Sequence, residues 1–531
     1  MHVSGSENSR MAAVRISDAI KPWCEQKPEH PALVDGGVVW SYNQLAVILR
    51  EAKSWLQDHG IRPGDRVVLA AENSRALVPL LLAVAELDAW PVPVGAAASA
   101  HELQTICRHC QPRRVLSTIS ASTRRGAWAE FRGAISEEIP GLGLVAVSPL
   151  NEECEPEKVD PDPSDRVGAL LYTSGTTGLP KGVMLSHKAL LFVAAASAKI
   201  RSLTMNDRLY GVLPMFHAVG LSVVLLGGLL SGSSIHLVKQ FDPVAALRSF
   251  EENGITIVLG APAMFSLLVE YAKLKGIRSL RFPSLRIIAS CSAPLDPILK
   301  SQMEELFGLV LHNGYGLTEC SPTIAQTRIE SPRSDTSVGP ILPGMEFKLV
   351  MNDGAIAPEG AAGELLVRGP NVMKGYYRAP KETEAVIDRE GWFNTRDLAR
   401  VDGGNLVLIG RTKELIIHFG HNVYPAEVES VLNSHPAVKR SAVIGRACSE
   451  AQGGEEIIAA VEPFSGSLVS APELAEYAAQ RLSTYKRPSQ ILLVDKMPET
   501  STGKVIKTEL VKMACSIPTF NVECASASAL S

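Results

Sequence analysis

The sequence predicts an α/β protein: a large N-terminal domain of helix-covered β-sheets with a small antiparallel β subdomain, then a small α+β C-terminal domain. Three observations carry this. Over roughly the first 400 residues, strand-like apolar runs alternate with helix-length amphipathic segments, the pattern that gives parallel sheets covered by helices. From Gly344 the texture changes to short strands and turns. After Arg411 a compact mixture of helices and strands follows, about 100 residues long.

The first strand-helix-strand unit starts at the turn Gly64-Asp65-Arg66, which feeds an apolar strand at 67–70. Asn73-Ser74 then caps a helix over 75–87, and 91–94 begins the next extended piece. Similar units are predicted at 255–260 with a helix over 263–274, and at 285–289 with a helix over 297–307. The antiparallel part takes strands at 347–350, 363–368 and 406–409, with turns at Asn352-Asp353-Gly354 and Asp402-Gly403-Gly404. Beyond it the pattern predicts helices over 425–433 and 471–482 and strands at 439–444 and 457–462. A boundary near Lys413 gives domains 1–412 and 413–531, and the Ser- and Ala-rich end beyond Ala514 is expected to fray.

At 531 residues the chain exceeds what one hydrophobic core organises. With 46% hydrophobic and 20% charged residues it is an ordinary globular composition. A net charge of -4 and a pI near 6.3 supply no broad cationic field, which argues against nucleic-acid or anionic-membrane partners and for a small-molecule substrate. Nine cysteines are scattered, and Cys107 with Cys110 has no second pair to complete a zinc site, so reduced thiols and a cytoplasmic location are expected. The polar residues 1–10 lack the apolar core of a signal peptide. The longest apolar run, 218–232, is interrupted by Ser222, Gly227 and Gly228 and falls short of the roughly 20 residues a membrane span needs. It reads as a buried helix, with no transmembrane segment expected.

The strongest local signal is Tyr172-Thr173-Ser174-Gly175-Thr176-Thr177-Gly178-Leu179-Pro180-Lys181-Gly182, after an apolar strand and before a helix. Glycines and hydroxyls this dense can wrap phosphate oxygens with backbone N–H and O–H donors, and Lys181 adds charge. The lysine does not sit directly before Ser or Thr, so this is not a Walker loop. Taken alone, the run reads equally well as a flexible surface loop.

This string resembles the phosphate loop of the adenylate-forming superfamily, and further matches follow in that family's order. His312-Asn313-Gly314-Tyr315-Gly316-Leu317-Thr318-Glu319 is similar to its Tyr-Gly-Thr-Glu motif. The resemblance implies that Tyr315 stacks on adenine with Asn313, Gly314 and Gly316 around it, that Thr318 touches phosphate and that Glu319 helps hold magnesium. Those residue types suit the tasks: a π-face for a base, a hydroxyl for phosphate, a hard oxygen for Mg²⁺. Ser292-Ala293-Pro294 resembles the adenine-lining strand end. Gly391 to Asp397 resembles the Thr-Gly-Asp motif, which gives Asp397 the ribose hydroxyls. Gly410-Arg411-Thr412-Lys413-Glu414 resembles the hinge motif, with Arg411 on ribose or phosphate and Lys413 as the pivot of a mobile C-terminal domain. Pro498 to Val505 resembles the motif carrying the catalytic lysine, here Lys504. The likeness spans residues 16 to 510. Three residues depart from it: Cys291 and Arg396 stand where glycine is usual, and Asn313 where glutamine is usual.

Pro214-Met215-Phe216-His217-Ala218-Val219-Gly220 resembles the pattern of fatty-acyl and aryl-CoA synthetases, in which the His217 ring helps gate the carboxylate and thiol. Amino-acid-activating relatives carry an aspartate at that point to pair with an ammonium, and none stands here, so an α-amino acid is disfavoured. The following segment, 221–230, is aliphatic and uncharged, which favours an apolar acyl body and leaves medium-chain fatty, aryl and isoprenoid acids open. Gly420 matches the loop that opens a pantetheine tunnel. The resemblance therefore implies an AMP-forming acyl-CoA ligase using ATP, Mg²⁺ and coenzyme A on a small carboxylic acid, with a homodimer compatible. Loading of a carrier protein's phosphopantetheine, or a non-catalytic nucleotide- or acyl-binding homologue, are the alternatives.

Overall fold

A computed structural model describes residues 13–118, 133–173, 180–351, 353–418, 421–447, 455–464, 466–499 and 505–515. The chain divides into two compact units, Met1–Thr395 with Arg400–Val407, and Arg396–Ala399 with Leu408–Ser531. It passes between them within the hairpin of strands Phe393–Asp402 and Asn405–Arg411.

The larger unit is organised by an eight-stranded sheet. Its order is Thr323–Gln326, Leu311–Gly316, Ile287–Ser290, Ile257–Gly260, Arg208–Gly211, Ser234–Leu237, Pro31–Asp35 and Val38–Ser41. The strands from Leu311–Gly316 through Pro31–Asp35 pair in parallel, and each end strand is antiparallel to its neighbour. A five-stranded sheet holds the predicted first unit: strand Arg66–Ala71, helix Leu77–Glu86 and strand Trp90–Gly95, whose two strands pair in parallel. A three-stranded sheet joins Val167–Thr173, Lys181–Ser186 and Gly375–Tyr376. In the antiparallel part, Glu346–Val350 pairs with Gly363–Arg368.

Local chemistry starts and stops the helices. Helix Pro297–Phe307 opens with Asp296 accepting from the amides of Ile298 and Leu299 at 2.8 and 3.2 Å, has Pro297 at its first position, and stops at Gly308 in the left-handed region. Helix His187–Ile200 opens with the Ser186 hydroxyl accepting from the Ala189 amide at 3.1 Å. The helices over 243–252, 262–274 and 297–307 bury Phe250, Phe265, Met303 and Phe307 against the large sheet around Tyr210 and Ile288. The second unit has its own core of Val428, Leu432, Val443, Ile457 and Leu474. It pairs Val438–Ala447 antiparallel with Glu455–Pro463 and carries helices Pro425–Asn433, Ala471–Ala479 and Lys507–Cys515.

The apolar stretch at 218–232 is a buried π-helix, Val219–Leu226, running into the short α-helix Gly227–Leu230. Among the described residues no helix is long and apolar enough to cross a membrane.

Burial lowers the pKa values of His187, His217 and His236 from the usual 6.5 to about 4. Unfolded, these rings take up protons first as pH falls. Their contribution to stability is therefore complete above about pH 6.5 and is lost as pH drops towards 4. Urea midpoints are expected to hold between pH 8 and 7 and to decline below about 6.5. A midpoint flat down to pH 5 would show the rings to be accessible in the folded chain.

Candidate active site

In the larger unit, the hairpin Val167–Thr173 and Lys181–Ser186 sets Thr173 directly opposite Lys181 at the two ends of the predicted phosphate loop. Ser174, Gly175, Thr176, Thr177 and Gly178, and in the second unit Gly420 and Lys504, lie outside the described residues.

Strand Leu311–Gly316 delivers the next group. Asn313 is buried, donates from Nδ2 to the Thr336 carbonyl at 2.8 Å and accepts from the Gly314 amide at 3.0 Å, so its side chain fastens the 327–337 loop to the strand. Thr318 and Glu319 follow on a 3₁₀ turn, Thr318–Cys320. The turn lies so close to the strand that a β-carbon on Gly316 would stand 1.9 Å from the Pro322 carbonyl oxygen, so no larger residue fits. Behind it, Asn371 donates to the carbonyls of Cys320 and Thr323 at 3.1 and 3.0 Å and holds the turn in place.

Tyr376 ties these pieces together. Its hydroxyl donates to Glu319 Oε1 at 2.9 Å, while the Lys181 ammonium lies 4.9 Å from the centre of its ring and pairs with Glu382. A cation from the phosphate-loop hairpin and the carboxylate of the Thr-Glu turn thus sit on one aromatic side chain. Sequence reasoning missed Tyr376, which stands 57 residues from Glu319 in a two-residue strand with no local motif. Glu319 has no other side-chain partner among the described residues, so Oε2 is open to a cation. No three His, Cys, Asp or Glu side chains gather into a metal cage among those residues. One carboxylate completed by phosphate and water oxygens is what magnesium takes, so Glu319 and the Thr318 hydroxyl fit Mg²⁺.

His217 sits beside Phe216, their ring centres 4.5 Å apart, and its Nε2 is buried with no hydrogen-bond partner. Its low pKa leaves it neutral near pH 7. The glycine three residues on has a physical cause: a β-carbon on Gly220 would meet the Pro214 carbonyl oxygen at 2.1 Å. The π-helix that begins there is a geometry often found at functional sites. Ser292, Ala293 and Pro294 follow strand Ile287–Ser290, with Ser292 at φ 73°. Cys291 is buried, its Sγ 3.7 Å from the Gly260 carbonyl oxygen.

In the second unit, two predicted residues meet: Arg411 donates from Nε to the buried Asp397 carboxylate at 3.0 Å. Arg396, just before Asp397, adopts φ 58°, the left-handed region where glycine is comfortable and an arginine costs roughly 1 kcal/mol. The departure from glycine has kept the glycine conformation. Lys413 lies in the 3₁₀ turn Thr412–Glu414.

The family model described as AMP-binding enzyme matches residues 20–377, and the model of the AMP-binding enzyme C-terminal domain matches 427–504. Feruloyl-CoA synthase from Amycolatopsis sp. is 33% identical over 485 residues, covering 91% of this chain and 96% of the relative. Indoleacetate–CoA ligase from Aromatoleum aromaticum is 32% identical over 481 residues, covering 88% and 92%. Among solved structures, ATP-bound MatB from Rhodopseudomonas palustris superposes with a TM-score of 0.82 at 28% identity, over 94% of this chain and 99% of that one. With family models spanning both units and the motif residues in their expected order, the chain belongs to the AMP-binding enzyme family, in its acyl-CoA synthetase branch of AMP-forming acid:thiol ligases.

Proposed function

We propose that this ligase activates an aryl carboxylic acid with ATP, releasing pyrophosphate, and passes the acyl group from the acyl-adenylate to coenzyme A, releasing AMP. The observation that carries it is the meeting of Lys181 and Glu319 on Tyr376, which supports reading the first as a cation for phosphate and the second as a carboxylate for magnesium. The aryl preference draws on the relatives, named for feruloyl and indoleacetate substrates. The uncharged π-helix after His217 agrees with an apolar acyl body.

As the carboxylate attacks the α-phosphorus, negative charge builds on phosphate oxygens, and stabilising it is mainly electrostatic. Lys181, Lys504 and the hydroxyls of Thr176 and Thr318 supply donors. Glu319 and the Thr318 hydroxyl would hold Mg²⁺, which would supply positive charge to the phosphate oxygens. Neutral His217 lines the entry of the carboxylate without adding charge. For the second step the C-terminal domain, from about residue 413, reorients at Lys413 and presents Gly420 to the thiol. Six described cysteines are free thiols, consistent with a reducing, cytoplasmic setting. Pyrophosphate release with ATP and a panel of aryl and alkyl acids, followed by thioester detection with coenzyme A, tests the reading; no turnover with any acid would sink it.

Asp397 gives a separate test. Its carboxylate accepts from Arg411 at 3.0 Å, and its assignment to the ribose hydroxyls draws on the motif resemblance. Asp397→Ala is expected to cost roughly 1.5 to 3 kcal/mol of ATP binding, a tenfold or greater rise in KM for ATP. An unchanged KM would remove Asp397 from the nucleotide site.

A further inference from the structure

Arginines inside this fold are normally well supplied. Arg66, fully buried, donates to the carbonyls of Cys110, Gly64, Glu155 and Gln111 at 2.7 to 3.2 Å, with Glu157 at 3.9 Å. Even the exposed Arg286 forks onto the buried Asp207 with two contacts of 2.8 Å. Arg201, immediately after helix His187–Ile200, is the exception. Among the described residues its guanidinium makes one long hydrogen bond, to the Ser197 carbonyl at 3.4 Å, and has no carboxylate partner. Burial depresses its pKa to about 10, and the neighbouring Arg328 adds to the depression. The side chain is nevertheless only partly covered, so it lines a recess inside the protein.

The strand register shows what that recess touches. Ala289 is level with His312 in the parallel pair, and Gly314 is opposite Gln326 in the antiparallel pair. With side chains alternating along each strand, Cys291, His312, Gly314, Gln326 and Arg328 share one face of the sheet. Helix His187–Ile200 covers that face: the Ser197 hydroxyl, one turn before Arg201, donates to Gln326 Oε1 at 3.2 Å. The same helix also meets the π-helix that follows His217, where Ser222 donates to the Leu190 carbonyl at 2.9 Å. Gln326 is 2% exposed, yet its Nε2 has no hydrogen-bond partner. Arg328 donates from Nη1 and Nη2 to the carbonyls of Gln326 and Ile341 at 2.7 and 2.8 Å. The recess is thus rich in donors and positive charge; among the described residues no carboxylate pairs with Arg201 or Arg328, although Glu304 acts on His312 and Glu330 on Arg328 from nearby.

We propose that Arg201, with Gln326 Nε2, anchors a second carboxylate at the end of the substrate remote from the carboxyl that is adenylated, so that preferred acids are dicarboxylic. A planar fork in a desolvated recess matches a carboxylate in geometry and charge, and a neutral tail would leave both donors unpaired. This assignment rests on the ligase reading above. It departs from the wholly apolar pocket that the aliphatic stretch at 221–230 predicts, because that stretch forms only one wall.

The test compares kcat/KM for thioester formation with ATP and coenzyme A on cinnamic, 4-hydroxycinnamic and 4-carboxycinnamic acids, and on octanoic and octanedioic acids. Wild type is expected to favour the diacid over its monoacid by at least about tenfold in one of the two series, the least that a charge-assisted hydrogen bond is worth. Arg201→Met should reverse the ratio, losing the diacid and improving on the monoacid, and Arg201→Lys should retain a reduced preference. If Arg201→Met does not fold, Arg201→Lys decides, and an unaltered ratio counts against the assignment. A wild-type preference for monoacids or for the 4-hydroxy acid overturns the carboxylate anchor while leaving the ligase intact. No thioester from any of the five acids, or from the wider panel above, overturns both.

Discussion

Acyl-adenylate formation is expected to slow by roughly 10² to 10³ when Lys504 is replaced by alanine, the usual loss for one preorganised donor at a developing charge. Lys504 lies outside the described residues, and the expectation rests on chemistry. Thr500-Ser501-Thr502-Gly503 before it are small residues able to deliver a long side chain into a cleft, and an ammonium can bridge the substrate carboxylate and an α-phosphate oxygen. In the proposed cycle the lysine withdraws before the thiol attacks. The same variant, given presynthesised acyl-adenylate and coenzyme A, is therefore expected to form thioester at close to the wild-type rate. Rapid-quench measurement of the two half-reactions separates the outcomes: equal damage to both would make Lys504 structural, and an undamaged first step would remove it from catalysis.

Gly316→Ala is expected to be the most damaging single-methyl addition in the candidate site. The new β-carbon would meet a backbone carbonyl at 1.9 Å, and backbone cannot swing aside as the end of a long side chain can. Relief requires strand Leu311–Gly316 to part from the Pro322 segment, which carries the Thr318–Cys320 turn with it. A cost of about 3 kcal/mol, the upper end for overpacking, is expected in urea unfolding, with weakened magnesium-dependent nucleotide binding. Wild-type stability would mean that the turn is loosely held, against the hydrogen bonds that Asn371 makes to it.

Most elements were legible because their ends carry local chemistry. Helix Pro297–Phe307 and strand Gly363–Arg368 have the bounds predicted for them, the helix being closed by Asp296 and Pro297 at one end and Gly308 at the other. Strand Val438–Ala447 is longer than the predicted 439–444, because Arg446 looks like a loop residue in sequence but pairs across the ladder with Glu456 at 2.5 Å. The order of the eight-stranded sheet was hidden, since it places Pro31–Asp35 beside Ser234–Leu237 through pairing that leaves no local trace. In the candidate site, the motif residues stand out as local strings of sequence, whereas Tyr376 and Asn371 hold partners far away in the chain. The left-handed conformation of Arg396 was equally invisible, because nothing in an arginine announces it.

Strand Leu311–Gly316 has a consequence for descent. Its odd positions, Asn313 and Tyr315, point away from the face that carries His312 and Gly314, so the proposed adenine contact and the proposed acid anchor lie on opposite sides of one backbone. Drift at His312, and at Gln326 on the neighbouring strand and Arg328 just beyond it, with Gly314 and Gly316 kept, can retune which acid is accepted while the nucleotide face is inherited intact. A duplicated copy of this gene could therefore acquire a new substrate through a few substitutions on one face of the ladder and remain an adenylating enzyme at every step.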